Sequence, residues 1–250
     1  MRIAVAGGTG RAGAEAVAAA RQRGHDVVVL ARSAGVDLVA GTGVTDALAG
    51  IDAVIDASGV QGKDDPAAFH EAVTRSLVTE GRAAGVKHLI VLSIVGCDRV
   101  PAFALYAGKV AQERSAAAGG IPYTIVRSTQ FHEFARQVWG FAKLGPVHIA
   151  PSGRLQPVSV REVGARLVDL AERGPAEGRA PDFAGPREES LADMVRSYAK
   201  AAGERGLVLP ASVPGAIGRA QRDGSLLPGA DALFGTQTFS EWIAQLPRGR

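Results

Sequence analysis

The chain has 250 residues, 46% hydrophobic and 21% charged, with a net charge of +3. This is the balance of a soluble globular chain, long enough for one large domain or a domain with an appended lobe. The positive excess is small and spread without a Lys/Arg cluster, which argues against a nucleic-acid footprint. The lone Cys97 excludes an intrachain disulfide and has no metal-ligand set around it. With aromatics at only 5%, the core must be mainly Ala, Val, Leu and Ile.

The chain opens on a short apolar strand over residues 3–6, directly followed by Gly7-Gly8-Thr9-Gly10-Arg11-Ala12-Gly13 and an alanine-rich helix over about 12–23. A helix N-terminus carries unpaired N–H groups and partial positive charge. Glycines there let the backbone approach an anion, so the order strand, glycine turn, helix is that of a pyrophosphate site. The spacing Gly7-x-x-Gly10-x-x-Gly13 differs from G-x-G-x-x-G, and no Lys-Ser or Lys-Thr follows, which excludes a P-loop. The first strand begins at once, with no signal peptide ahead of it. The apolar stretch at 89–95 is too short to span a membrane. Both point to a cytoplasmic protein.

Residues 26–31 (DVVVLA) read as a second strand buried on both faces. Its end, Arg32-Ser33, lacks the carboxylate that favours NAD; a guanidinium there suits a 2′-phosphate and hence NADPH. Arg11 is placed to reach the same phosphate. A third, shorter strand is expected at 36–40 and a fourth at 52–57, closing on Ala57-Ser58-Gly59, small residues over which a cofactor would lie flat. A helix is expected at 66–84, stopping at Gly85. Strands at 88–95 and 123–126 flank a helix at 104–118. This alternation predicts an α/β fold, a doubly wound parallel sheet of the Rossmann type with strand order 3-2-1-4-5-6, and a ligand crevice at the strands' carboxyl ends.

Past residue 128, Pro, Gly and short helices dominate. Helices are expected at 162–172 and 191–202, with an irregular stretch at 203–229. The expected division is a cofactor-binding core over 1–127 and a smaller substrate-side lobe over 128–250, packed together as one globular unit and completing the substrate pocket. Ser128, Thr129 and Phe131, after the sixth strand, would border the nicotinamide, with Phe131 and Trp139 as apolar walls. His132 reads either as an acid/base or as a packing residue, the latter preferred.

Ser93, Tyr106 and Lys109 form a candidate catalytic set. A lysine on the helix after the fifth strand would hold the nicotinamide ribose and lower the pKa of a nearby tyrosine acting as general acid; Ser93 would bind the carbonyl oxygen.

With AGGTGRAG at 6–13, LARS at 30–33, VLSIVGCDR at 91–99, YAGKVAQE at 106–113 and PYTIVRSTQFHEF at 122–134, the chain resembles the atypical short-chain dehydrogenases/reductases of the NmrA-like group, in the branch of quinone reductase-like and isoflavone reductase-like proteins. PVSVREVGARLVDLAE at 157–172 and FAGPREESLADMV at 183–195 extend the likeness over nearly the whole chain. The resemblance implies NADP(H) as cofactor and a small carbonyl or quinone as substrate, or else a non-catalytic NADP(H)-binding redox sensor. It implies no metal and a monomer or homodimer. Two departures stand out. Full active sites of the family carry Tyr-x-x-x-Lys, yet Leu105 lies four before Lys109 and Tyr106 three before it, about 100° away around a helix axis. A structural tyrosine at the helix edge is then the preferred reading of Tyr106. Gly43 stands near where relatives usually have an acidic residue on the adenine side.

Overall fold

A computed structural model describes residues 1–60, 62, 64–141, 143–175 and 178–246. Its first half runs β1 (Arg2–Ala6), α1 (Arg11–Gln22), β2 (Asp26–Leu30), α2 (Val44–Leu48), β3 (Ala53–Asp56), α3 (Pro66–Ala84), β4 (His88–Ile94), α4 (Ala104–Ala117) and β5 (Tyr123–Ser128). Then follow α5 (Phe134–Phe141), β6 (Lys143–Leu144), β7 (Val147–Pro151), β8 (Arg154–Leu155), α6 (Val160–Arg173), β9 (Gly178–Arg179) and β10 (Phe183–Ala184). The chain closes with β11 (Glu189–Ser190), α7 (Leu191–Ala201), β12 (Leu207–Ala211), α8 (Gly215–Asp223), β13 (Leu233–Phe234) and α9 (Phe239–Ala244).

The chain divides into two compact units, residues 1–127 with 160–181, and residues 128–159 with 182–250. In the first, the sheet order is β5-β4-β3-β1-β2, with β9 on β5. β1 pairs in parallel with β2 on one side and β3 on the other, and β3 with β4. The register Ala6↔Leu30 and Ala6↔Asp56 brings the carboxyl ends of β1, β2 and β3 level, while Asp56↔Val91 leaves β4 running three residues further. β3 and most of β4 are buried, as expected for strands covered on both faces. This is the expected doubly wound sheet, with one position of its strand order unfilled.

That position is the expected strand at 36–40, which is a loop. Gly35 and Gly41 take left-handed φ of 77° and 76°, and the Asp37 carboxylate accepts N–H bonds from Val39 and Ala40. The backbone therefore curls on itself instead of pairing with β2. Val36 still reaches the core while Val39 is exposed.

Residues 160–181, expected in the C-terminal lobe, belong to the first unit. The reason is α6, which lies against α1. α1 offers the small residues Ala12, Ala16 and Ala20 to the interior. A Cβ at Gly164 would come within 2.5 Å of the Glu15 backbone, so glycine sets how closely the helices approach. Arg23 bonds Asp169 and Glu172, and His25 bonds Glu172, each at 2.7 Å across the same contact. α3 starts on Pro66 behind an Asp65 cap that accepts from Ala68 N and stops at Gly85 in a left-handed cap.

In the second unit, α5, α7 and α9 enclose a core that includes Trp139, Leu191, Met194 and Phe239. β12, β7 and β6 form a small sheet. β12 and α8 occupy part of the stretch expected to be irregular. β10 pairs with Ser128 at the end of β5 and with β13.

Candidate nucleotide site at the strand ends

The turn after β1 needs its glycines. Gly7 has a φ of 71°, open to glycine at no cost. A Cβ on it would sit 2.7 Å from Ala57 O and 2.8 Å from Ser58 Cα. Gly10 N donates to Gly7 O at 2.8 Å, closing the turn. A Cβ on Gly13 would fall 2.1 Å from Gly7 O, so the helix starts pressed against the turn. Gly10 caps α1 without a side-chain hydrogen bond, and the first turn holds no acidic residue. The N-terminal field of α1 is thus uncompensated and reached through bare backbone, the donor set a pyrophosphate requires. Thr9, Gly10 and Arg11 are exposed, and Gly8, Ala12 and Gly13 buried. The turn fits the diphosphate of a nicotinamide dinucleotide.

After β2, Arg32 and Ser33 open a short 3₁₀ turn and are both exposed. Among the described residues Arg32 makes no ion pair, which leaves its guanidinium for an anion. Gly43 has a left-handed φ of 70°, and a Cβ there would lie 2.5 Å from Gly35 O. An acidic side chain at this position is therefore incompatible with the loop.

Under the ends of β3 and β4 lies a buried polar ring that joins the candidates Ser58 and Lys109 to Asp56 and Gln112, which the sequence does not mark. Asp56 Oδ1 accepts from Ser58 N at 3.0 Å, and Asp56 Oδ2 from Gln112 Nε2 at 2.7 Å. Lys109 Nζ donates to Gln112 Oε1 at 2.8 Å, to Ser58 O at 3.3 Å and to Leu92 O at 3.0 Å. All three N–H groups of this ammonium thus have acceptors within the chain. Burial pulls Lys109 down to about 8, against the neighbouring Asp56 carboxylate that raises it. His70, on the inner face of α3, is fully buried. Burial first, then the Lys109 charge, lowers it to about 3, with Asp56 opposing. Within the candidate turn after β3, Ser58 is buried and Gly59 exposed.

Ser93 is buried on β4, its Oγ 3.7 Å from Cys97 Sγ. Burial raises the Cys97 thiol, with Glu113 adding to it, so it stays protonated at neutral pH. Arg127 binds Glu113 through Nε and Nη2, both at 2.7 Å, and Asp98 through Nη1 at 2.8 Å. Tyr106 is 5% exposed, in the first turn of α4, with its ring edge-on to Phe103 at 5.1 Å.

The structure therefore gathers the glycine turn, the turn at 57–59 and Lys109 around the β1 and β3 ends. Ser128, Thr129 and Phe131 lie in the second unit. Ser128 and Thr129 are buried, Thr129 Oγ1 donating to Gln156 O at 2.6 Å, and Phe131 bridges to Val158. His132 is fully buried, its Nε2 lies 3.1 Å from Gln237 O, and its ring sits against Phe239 and Trp242. Trp139 stacks on His148 at 3.4 Å. Among the described residues no group of His, Cys, Asp and Glu is placed to hold a metal, and no helix is long and apolar enough to cross a membrane.

A parallel sheet with a glycine turn between β1 and α1 defines a Rossmann-type dinucleotide-binding protein. Residues 7–171 match the profile of the NAD(P)H-binding family, and the chain belongs to that family. This agrees with its resemblance to the NmrA-like atypical short-chain dehydrogenases/reductases. Similar solved structures include the NADPH-dependent quinone oxidoreductase QOR2 of Escherichia coli complexed with NADPH. It is 20% identical, with a TM-score of 0.71 over 97% of this chain and 98% of that one. The Citrobacter sp. triphenylmethane reductase complexed with NADP(H) is 18% identical, with a TM-score of 0.69 over 98% and 99%. A short-chain dehydrogenase/reductase superfamily protein of Agrobacterium tumefaciens with bound NAD is 18% identical, with a TM-score of 0.67 over 98% and 95%. At these identities the likeness is one of fold. No curated protein matches the sequence.

Proposed function

We propose that the protein is an NADPH-dependent oxidoreductase that directs hydride to a small carbonyl or quinone. The observation that carries this reading is the uncapped, glycine-walled start of α1. Gly7 to Gly13 would hold the diphosphate through backbone N–H groups, and the turn at Ala57-Ser58-Gly59 would flank it. Arg32, together with Ser33 and Arg11, would bind the 2′-phosphate, because β2 ends without a carboxylate and Arg32 is exposed and unpaired. The nicotinamide, when bound, supplies the hydride. The chain's own part is binding and orientation. Structural neighbours described as quinone and dye reductases support this class of acceptor.

One observation favours a second reading, an NADP(H)-binding sensor without turnover. Tyr106 is buried against Phe103, and Lys109 spends its N–H groups inside the protein. Such a site binds a cofactor without presenting a proton donor. A quinone acceptor needs less help from a positioned acid than a ketone, which keeps the reductase reading first.

The test is calorimetric titration with NADPH, NADP⁺, NADH and NAD⁺, followed by NADPH oxidation against quinones and aldehydes. Tight NADPH binding with quinone turnover is expected. Binding without turnover of any acceptor moves the assignment to the sensor, and a preference for NADH removes the role given to Arg32.

A further inference from the structure

Four hydrogen bonds close a ring around the Ser58 peptide. Ser58 N donates to Asp56 Oδ1, and Ser58 O accepts from Lys109 Nζ. Lys109 Nζ donates to Gln112 Oε1, and Gln112 Nε2 donates to Asp56 Oδ2. Asp56 and Gln112 are fully buried, Lys109 and Ser58 are each 7% exposed, and Asp56 and Lys109 are the ionisable members. Breaking such a network at one member leaves the others unsatisfied, so it holds its shape as a unit.

The Ser58 peptide is also the floor of the glycine turn. The space a Gly7 side chain would need is filled by Ala57 O and Ser58 Cα. Gly7 O in turn accepts from Gly10 N and abuts Gly13. Any drift of the Ser58 peptide is thus passed by backbone contact to the start of α1.

We propose that Asp56, Gln112 and Lys109 are positioning residues that clamp the Ser58 peptide and thereby shape the glycine turn for the diphosphate, with Lys109 acting through Ser58 and not as a ligand of the nicotinamide ribose. A lysine that served the ribose would have to leave one of its three internal acceptors, each a backbone or side-chain oxygen in a buried site. This inference rests on the dinucleotide site described above.

The discriminating ligand is adenosine 2′,5′-bisphosphate, which carries a phosphate for the glycine turn but has no nicotinamide ribose. Lys109→Met and Gln112→Met are titrated with it and with NADPH. The clamp predicts that each variant weakens both ligands by a similar factor of about tenfold, the scale of one or two net hydrogen bonds. Weakening of NADPH alone in Lys109→Met makes Lys109 a ribose ligand and overturns the proposal, as does wild-type affinity of Gln112→Met for both. If the unmodified protein prefers NADH, the NADPH reading has failed, and NADH with ADP replaces the ligand pair without affecting the test. Should either variant fail to fold, amide exchange in the wild type decides. A Ser58 N–H held by the ring exchanges among the slow amides, and a fast rate refutes it.

Discussion

Replacing Gly13 with alanine sets two opposite effects against each other at one atom. Gly13 lies in the first turn of α1, where alanine ordinarily improves a helix by about 1 kcal/mol. Here the added Cβ would be 2.1 Å from Gly7 O, 2.6 Å from Gly7 C and 2.9 Å from Gly8 Cα, all backbone atoms. No rotamer change relieves these contacts, so the helix start must move away from the turn by about 1 Å. Overpacking of this kind costs about 1–3 kcal/mol. Net stability should fall by about 0–2 kcal/mol. Binding should suffer more, because the displaced N–H groups are the diphosphate donors, each worth about 1.5–3 kcal/mol to a charged group. Losing one or two of them predicts a fall in NADPH affinity of at least tenfold, measured by calorimetric titration beside chemical denaturation. Gly140→Ala is the control: it is also helical, but its Cβ would meet nothing within 4 Å, so stability should hold or rise with affinity unchanged. NADPH affinity within threefold of wild type in Gly13→Ala refutes the diphosphate assignment.

Arg32→Ala should weaken NADPH by about tenfold or more while leaving NADH within twofold, since the guanidinium would meet only the 2′-phosphate; equal losses for both cofactors contradict this role. His70 should make the fold acid-sensitive. Its folded pKa, depressed to about 3 by burial and by Lys109 against Asp56, lies below its unfolded value of 6.5. Between these values the unfolded chain binds the extra proton, so this stability is present above pH 6.5 and lost as pH falls towards 3, at about 1.4 kcal/mol per unit. Urea midpoints from pH 7 to 4 should fall less steeply in His70→Leu than in wild type, and parallel slopes would refute the assignment. Gly164→Val should cost about 1–3 kcal/mol in denaturation, because its side chain meets the Glu15 backbone within 2.5 Å; an unchanged midpoint would show that α6 does not hold that close to α1.

The features legible in the sequence are local ones. The glycine turn reads from consecutive residues, and α3 declares both ends through Pro66 and Gly85. β2 and β4 are marked by the apolar runs at 27–30 and 89–92. The expected strand at 36–40 failed because its composition looked strand-like while Asp37 and the flanking glycines curl the backbone. The buried ring escaped because Asp56 and Gln112 are 56 residues apart and meet only once β3 and α4 are folded. One signal pointed that way: Asp56 is a carboxylate at the end of an otherwise apolar strand, which is costly unless it is paired. The offset between Tyr106 and Lys109 is visible in the sequence; the contacts of the two side chains, the tyrosine on Phe103 and the lysine on Leu92 O, are not, because they form only in the fold.

The division of the chain has a bearing on biosynthesis. The polypeptide passes from one unit to the other after residues 127, 159 and 181, so neither unit is a continuous piece of sequence. A fragment ending at 127 would contain every strand from β1 to β4 and nearly all of β5, yet it would leave the alanine face of α1 without α6. On a ribosome, the N-terminal segment cannot complete its core until residues up to 181 have been released, by which time the first part of the other unit has already been made. The first unit therefore closes only around an inserted stretch, 128–159, that belongs to the other, and a genetic split that separates 160–173 from α1 should yield a protein that needs both pieces to be soluble.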